Sequence, residues 1–134
     1  MPMRSRGVVY IVDADASVRQ GLARLMDAAG LEARPCASTA AFLRQVPARR
    51  HACALVDVSD LLHCEPGPWA QLCTAARAMP IVALSPDDDA VTRQMARAMG
   101  AQAFFRKPVD AAALLDSIDW VMRAEARDGS AAAS

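Results

Sequence analysis

The chain has 134 residues, 54% of them hydrophobic and 22% charged, and its fifteen basic residues cancel its fifteen acidic ones. That length suits one domain, able to bury roughly two-thirds of the surface its unfolded form exposes, and the composition argues against intrinsic disorder. Zero net charge removes the electrostatic case for nucleic-acid or membrane binding by this segment, and no apolar run nears the ~20 residues that span a bilayer. Met1–Gly7 carries charge, but no apolar region and cleavage site of secretory type follow it, so the expected location is cytoplasmic.

In chain order, the apolar run Val8–Val12 predicts a first strand. A helical pattern follows, with Val18, Leu22, Leu25, Met26 and Ala29 on one face and Gly30 closing it. Leu31–Cys36 is a weaker strand whose Pro35 suits a sheet edge. Ser38 reads as the N-cap of a short helix that buries Phe42 and Val46 and stops at Pro47. Ala52–Val56 is a continuous apolar run, the mark of a strand covered on both faces. Pro66-Gly67-Pro68 reads as loop, and the next helix turns Trp69, Leu72, Cys73 and Ala76 inward.

Pro80–Leu84 is the fourth strand. Asp87 and Asp88 supply the cap and dipole complement of a helix showing Val91, Met95, Ala98 and Met99, ended by Gly100. Ala101–Phe105 is the fifth strand. Asp110 caps a last helix with Ala111, Leu114, Leu115, Ile118, Val121 and Met122 at helical spacing. Arg127–Ser134 is small and polar, so residues 1–126 form the domain and 127–134 a flexible tail or linker stump.

Five strand–helix alternations predict an α/β fold: a (βα)5 doubly wound, parallel five-stranded sheet in a three-layer sandwich. The four cysteines, at 36, 53, 64 and 73, form no CxxC pair. A zinc site from His63, Cys64, Cys53 and Cys73 matches no common ligand spacing, and packing is the better reading of Cys36, Cys53 and Cys73. Tyr10, Trp69 and the seven methionines also read as packing.

Open parallel sheets bind ligands beyond the carboxyl ends of their strands. Here four strands end in chemistry: Val12 in Asp13, Val56 in Asp57, Leu84 in Ser85, and Phe105 in Arg106-Lys107-Pro108. Two acids, a hydroxyl and a lysine suit the handling of a phosphoryl group.

The runs VVYIVDAD, ALVDVSD, IVALS and FFRKPV, in this order and spacing, resemble the receiver domain of two-component response regulators over about residues 7–126. The resemblance implies a flavodoxin-like, receiver-like fold. It implies Asp57 as the phosphoacceptor, taking its phosphoryl group from a histidine kinase or phosphotransfer protein in a phosphorelay. Transfer to a carboxylate depends on in-line positioning and charge neutralisation. By the same resemblance Lys107 pairs with a phosphoryl oxygen, Ser85 donates to another, and Phe104 is the switch aromatic. Lys107-Pro108 matches a step that is usually cis in the family.

Two departures mark the chain as atypical. The family begins with two adjacent acids that hold Mg²⁺ near the acceptor, whereas Asp13-Ala14-Asp15 puts Ala14 at the second position. Asp13 and Asp57 then remain for a weakened Mg²⁺ site, with a backbone carbonyl near Ser59. Asp15 stands either as a substitute member of the acidic pocket or as the cap of the first helix. The loop after Asp57 departs too: Asp60-Leu61-Leu62-His63-Cys64-Glu65 replaces the family's Met-Pro, and Gly67 comes two residues late.

The rival to a phosphorylated signalling domain is a pseudo-receiver that docks on a partner or dimerises through its C-terminal helices. A remoter rival is an enzyme, since VDADAS also resembles the DxDx(S/T) motif of haloacid-dehalogenase-type phosphatases, with Asp13 attacking and Asp15 as acid. That reading lacks the further acidic motif the family carries after the lysine, and leaves Asp57 unexplained. An output domain in a longer chain, acting in transcription regulation, is the expected companion of a receiver.

Overall fold

A computed structural model describes residues 7–45, 51–59, 61 and 66–133. The elements alternate without exception: β1 (Val8–Val12), α1 (Ala16–Ala28), β2 (Glu32–Cys36), α2 (Thr39–Gln45), β3 (Ala52–Asp57), α3 (Pro66–Ala78), β4 (Ile81–Ser85), α4 (Ala90–Met99), β5 (Ala103–Arg106) and α5 (Ala111–Ala133). The five strands form one sheet in the order β2-β1-β3-β4-β5, with every pairing parallel. This is the α/β fold expected from the alternation.

Strands with apolar residues at every position need cover on both faces, and the helices supply it. One core joins Tyr10, Ala54, Val56, Ile81 and Ala83 to Phe42 of α2, Leu72 of α3 and Ala96 of α4. The other joins Val9, Ile11, Leu55, Val82 and Leu84 to Met26 of α1 and Leu114, Ile118 and Val121 of α5. Alternate residues of each strand therefore serve opposite layers. Pro35 lies on β2 at the sheet edge, as its missing N–H requires.

The helix boundaries differ from expectation at three places. Pro66-Gly67-Pro68 is the first turn of α3 rather than loop; the first turn of a helix is where proline's missing N–H costs nothing. The N-cap of α4 is Asp89, whose side chain accepts from Thr92 N–H, so neither Asp87 nor Asp88 is the cap. The buried stripe of α4 accordingly runs through Thr92, Ala96 and Met99, leaving Val91 64% exposed. Finally, α5 stays helical to Ala133 across the segment expected as a tail, in keeping with the high helix propensity of its terminal alanines. Val46 and Pro47, assigned to the end of the second helix, lie outside the described residues, as do His63 and Cys64.

Ser38 does cap α2, its Oγ accepting from Ala41 N–H at 3.1 Å, and Asp110 caps α5 through Ala113 N–H at 2.9 Å. Gly100 ends α4 at φ +105°, where a Cβ would also stand 3.2 Å from Ala76 Cβ; glycine is required there on both counts.

Candidate functional site

The sheet order places β3 at its centre, with β1 on one side and β4 on the other. Register pairs Val12 with Val56 and Asp57 with Leu84, so Asp13, Asp57 and Ser85 leave the sheet at nearly one level. Lys107 follows β5 and reaches them from the far side of β4. The Lys107-Pro108 bond is cis, as the resemblance implied.

Lys107 is the only lysine in the chain, and its Nζ joins the two acids. It donates to Asp13 Oδ2 at 2.5 Å and to Asp57 Oδ2 at 2.6 Å. The side chains of Lys107, Asp13 and Asp57 are only 15%, 2% and 11% exposed, so solvent screens these pairs far less than a surface ion pair. Burial works to lower the pKa of the Lys107 ammonium, but its hydrogen bonds to Asp13 and Asp57 outweigh that, and the net shift is upward.

The remaining carboxylate oxygens are also engaged. Asp13 Oδ1 accepts from Asp15 N–H at 2.8 Å. Asp57 Oδ1 accepts from both the N–H and the hydroxyl of Ser59, at 2.8 and 2.6 Å. Arg19, one turn into α1, donates from Nη1 to the Asp13 carbonyl at 2.7 Å and braces the loop. Neither Arg19 nor the Ser59 hydroxyl was assigned from sequence. The signal for Ser59 is local: a serine two residues after an aspartate suits an Asx-type turn.

The Asp15 side chain turns to the first helix. It accepts from Ser17 and Val18 N–H at 2.9 and 3.2 Å, making Asp15 the N-cap of α1. Ala14 is exposed and offers no ligand. Among the described residues no group of three His, Cys, Asp or Glu side chains could hold a metal ion. With both Oδ2 oxygens on Lys107, Asp13 and Asp57 are a poor fit to a Mg²⁺ ion, which needs oxygens at about 2.0–2.1 Å in octahedral array.

Ser85 is fully buried and its Oγ accepts from Asp87 N–H at 3.0 Å. Accepting uses a lone pair and leaves the hydroxyl proton free to donate. The N–H of Lys107 donates to the Ser85 carbonyl at 2.8 Å, tying the ends of β4 and β5 together. Phe104 is half-buried and stands apart from the acids: the Arg93 guanidinium of α4 lies over its ring, 5.0 Å from the centroid. Arg93 in turn pairs with Asp88 and holds that carboxyl below its usual pKa.

The family model described as the response regulator receiver domain matches residues 9–119. No curated protein sequence matches the chain. Among solved structures, the response regulator StyR is 30% identical with a TM-score of 0.77, over 95% of this chain and 64% of StyR. A response regulator receiver protein from Burkholderia phymatum is 28% identical, TM-score 0.70, over 87% of this chain and 95% of its own. FixJ from B. japonicum is 26% identical, TM-score 0.73, over 90% of this chain and 59% of FixJ. A match to the family model across most of the chain, on a fold of this strand order and with the acids at these strand ends, means that the chain belongs to the response regulator receiver domain family.

Proposed function

We propose that this chain is a phosphoacceptor signalling domain in which Asp57 takes a phosphoryl group from a phosphohistidine of a sensor histidine kinase or phosphotransfer protein. Receiver domains are signalling modules, and as a family they work with such donors and with output domains. The observation that carries the reading is the bridge of Lys107 Nζ between Asp13 and Asp57. It sets a cation beside the carboxylate that would react.

In the step proposed, an Asp57 oxygen attacks phosphorus in line, the phosphorus–nitrogen bond breaks, and the imidazole leaves with the electron pair. Lys107 neutralises charge on the transferred group, and the free proton of Ser85 donates to another of its oxygens. Drawing Ser85 toward Asp57 pulls the β4–β5 junction with it, because Lys107 N–H holds the Ser85 carbonyl. Phe104, three residues earlier on β5, carries that movement to the surface where Arg93 lies. Receiver domains in general bind Mg²⁺ at this pocket; among the described residues Asp13 and Asp57 are the acids left for it, so the binding proposed is weakened.

The unit proposed is residues 1–126, with the segment from 127 leading through a helical backbone toward any further chain. StyR and FixJ each extend well beyond the part matched, which fits an output domain, and transcription regulation with it, in a longer protein. A homodimer through the C-terminal helices is the simplest assembly. No helix among the described residues is long and apolar enough to cross a membrane, which agrees with a cytoplasmic site of action.

The second reading is a pseudo-receiver that signals by docking without phosphorylation. Ala14 and the full engagement of all four carboxylate oxygens favour it. Intact-protein mass after incubation with acetyl phosphate, with and without Mg²⁺ and beside Asp57→Asn, separates the two. A hydroxylamine-labile gain of one phosphoryl group, absent from the variant, establishes the acceptor. No gain from acetyl phosphate or from a phosphohistidine donor leaves the pseudo-receiver.

A further inference from the structure

We propose that Lys107 is the resident cation of the acidic pocket and keeps divalent ions out of it. The inference concerns the same site as the phosphoacceptor reading, but it holds or fails without any phosphoryl donor. Its starting point is that two carboxylates from strands far apart in sequence aim their Oδ2 oxygens at one point, and that an ammonium sits there.

A divalent ion bridging Asp13 and Asp57 would need those same two oxygens. Ammonium and metal therefore compete there, like charges drawn to the same pair of oxygens. The Oδ1 oxygens are engaged as well, one by Asp15 N–H and the other by the Ser59 N–H and hydroxyl. A third carboxylate would tip the balance toward a metal, and none of the described residues brings one: Ala14 has none, and the Asp15 side chain is spent on the first turn of α1. Mg²⁺ surrenders its waters reluctantly, so two oxygens already neutralised by hydrogen-bonded charge are a poor exchange for them.

The residue type fits the task. Lysine is a compact point charge with three donors, where arginine is a planar fork. Two of the three Nζ protons go to Asp13 and Asp57, leaving one for an incoming anion. Every other strong base of this chain is arginine, and its one lysine stands here.

That singularity makes the test direct, because Lys107 is the only side-chain amine an acylating reagent can meet. In the intact chain, acetic anhydride labelling of Lys107 is followed by mass while MgCl₂ is raised, with the α-amino group as internal control. The proposal expects Lys107 labelling to stay slow and unchanged across the titration. A saturable rise of about tenfold or more, as metal frees the amine, overturns it. Mn²⁺ binding by electron paramagnetic resonance is the second measurement, on wild type, Lys107→Met and Ala14→Asp. Binding at least about tenfold tighter in Lys107→Met than in wild type supports exclusion by the ammonium. Wild type binding one Mn²⁺ as tightly as Ala14→Asp overturns it. Should Lys107→Met fail to fold, the labelling titration on wild type decides.

Discussion

The Ser59 hydroxyl donates to Asp57 Oδ1 at 2.6 Å, alongside the Ser59 N–H. The same oxygen therefore carries two hydrogen bonds from one residue, and the carboxylate is fixed in rotation. Hydrogen bonds to a charged acceptor contribute about 1.5–3 kcal/mol, and the backbone bond survives substitution. Ser59→Ala is expected to lower stability by about 1.5 kcal/mol and to speed phosphoryl uptake by Asp57, since an oxygen lone pair is released. Chemical denaturation checks the first, and the rate of mass gain from acetyl phosphate the second.

Removing the ammonium leaves two nearly buried carboxylates facing each other. Lys107→Met is expected to cost about 2 kcal/mol or more, as when one partner of a buried pair is deleted. Adding Asp13→Asn to it should return part of that loss by removing the repulsion. Urea midpoints of the single and double variants measure both effects.

The upward shift of the Lys107 pKa gives this pairing a signed pH dependence. The folded value exceeds the ordinary lysine value of 10.5, so the native state holds the proton more tightly than the unfolded chain. The stabilisation is therefore complete below that value and disappears as pH climbs through the folded pKa. Melting temperatures of wild type and Lys107→Met, followed from about pH 8 to about pH 12, are expected to differ by a constant amount and then converge at the alkaline end.

Asp15 offers a control close to the site but outside it. Asp15→Ala removes the side-chain acceptor for Ser17 and Val18 N–H and should cost about 1 kcal/mol. Phosphoryl uptake at Asp57 should be unchanged, because the Asp15 contact to Asp13 is made by its backbone N–H. Abolished uptake in a folded variant would put Asp15 back into the chemistry.

Arg93 lies over Phe104 while paired to Asp88. Arg93→Ala is expected to free the ring, so the nuclear magnetic resonance signals of Phe104 should shift and broaden. High salt should produce part of the same change in wild type, since the pair is exposed and screened. An unaltered Phe104 spectrum in the variant would show that the guanidinium does not hold the ring.

How much of this could be read from the letters depended on the range of the interaction. β1, β3 and β4 announce themselves because burial on both faces leaves only apolar residues, and Asp57 stands out by ending such a run. Helix starts were harder. Asp87, Asp88 and Asp89 are chemically interchangeable as caps, and only the packing of Thr92, Ala96 and Met99 selects Asp89. Asp15 posed the same ambiguity, and its side chain goes to the first turn of α1. The Arg19 brace and the Ser59 hydroxyl need dihedral angles that residue identity does not specify. The double bridge by Lys107 needs the strand order as well.

That bridge also has a bearing on how the chain comes together. Lys107 is 94 residues from Asp13 and 50 from Asp57, so it can form only after β5 has docked on β4 and β1 on β3. Closing loops of that length costs conformational entropy that burial elsewhere in the sheet must offset. Until then Asp13 and Asp57 are two hydrated acids with nothing to join them. The neutralised pocket is a signature of the finished sheet.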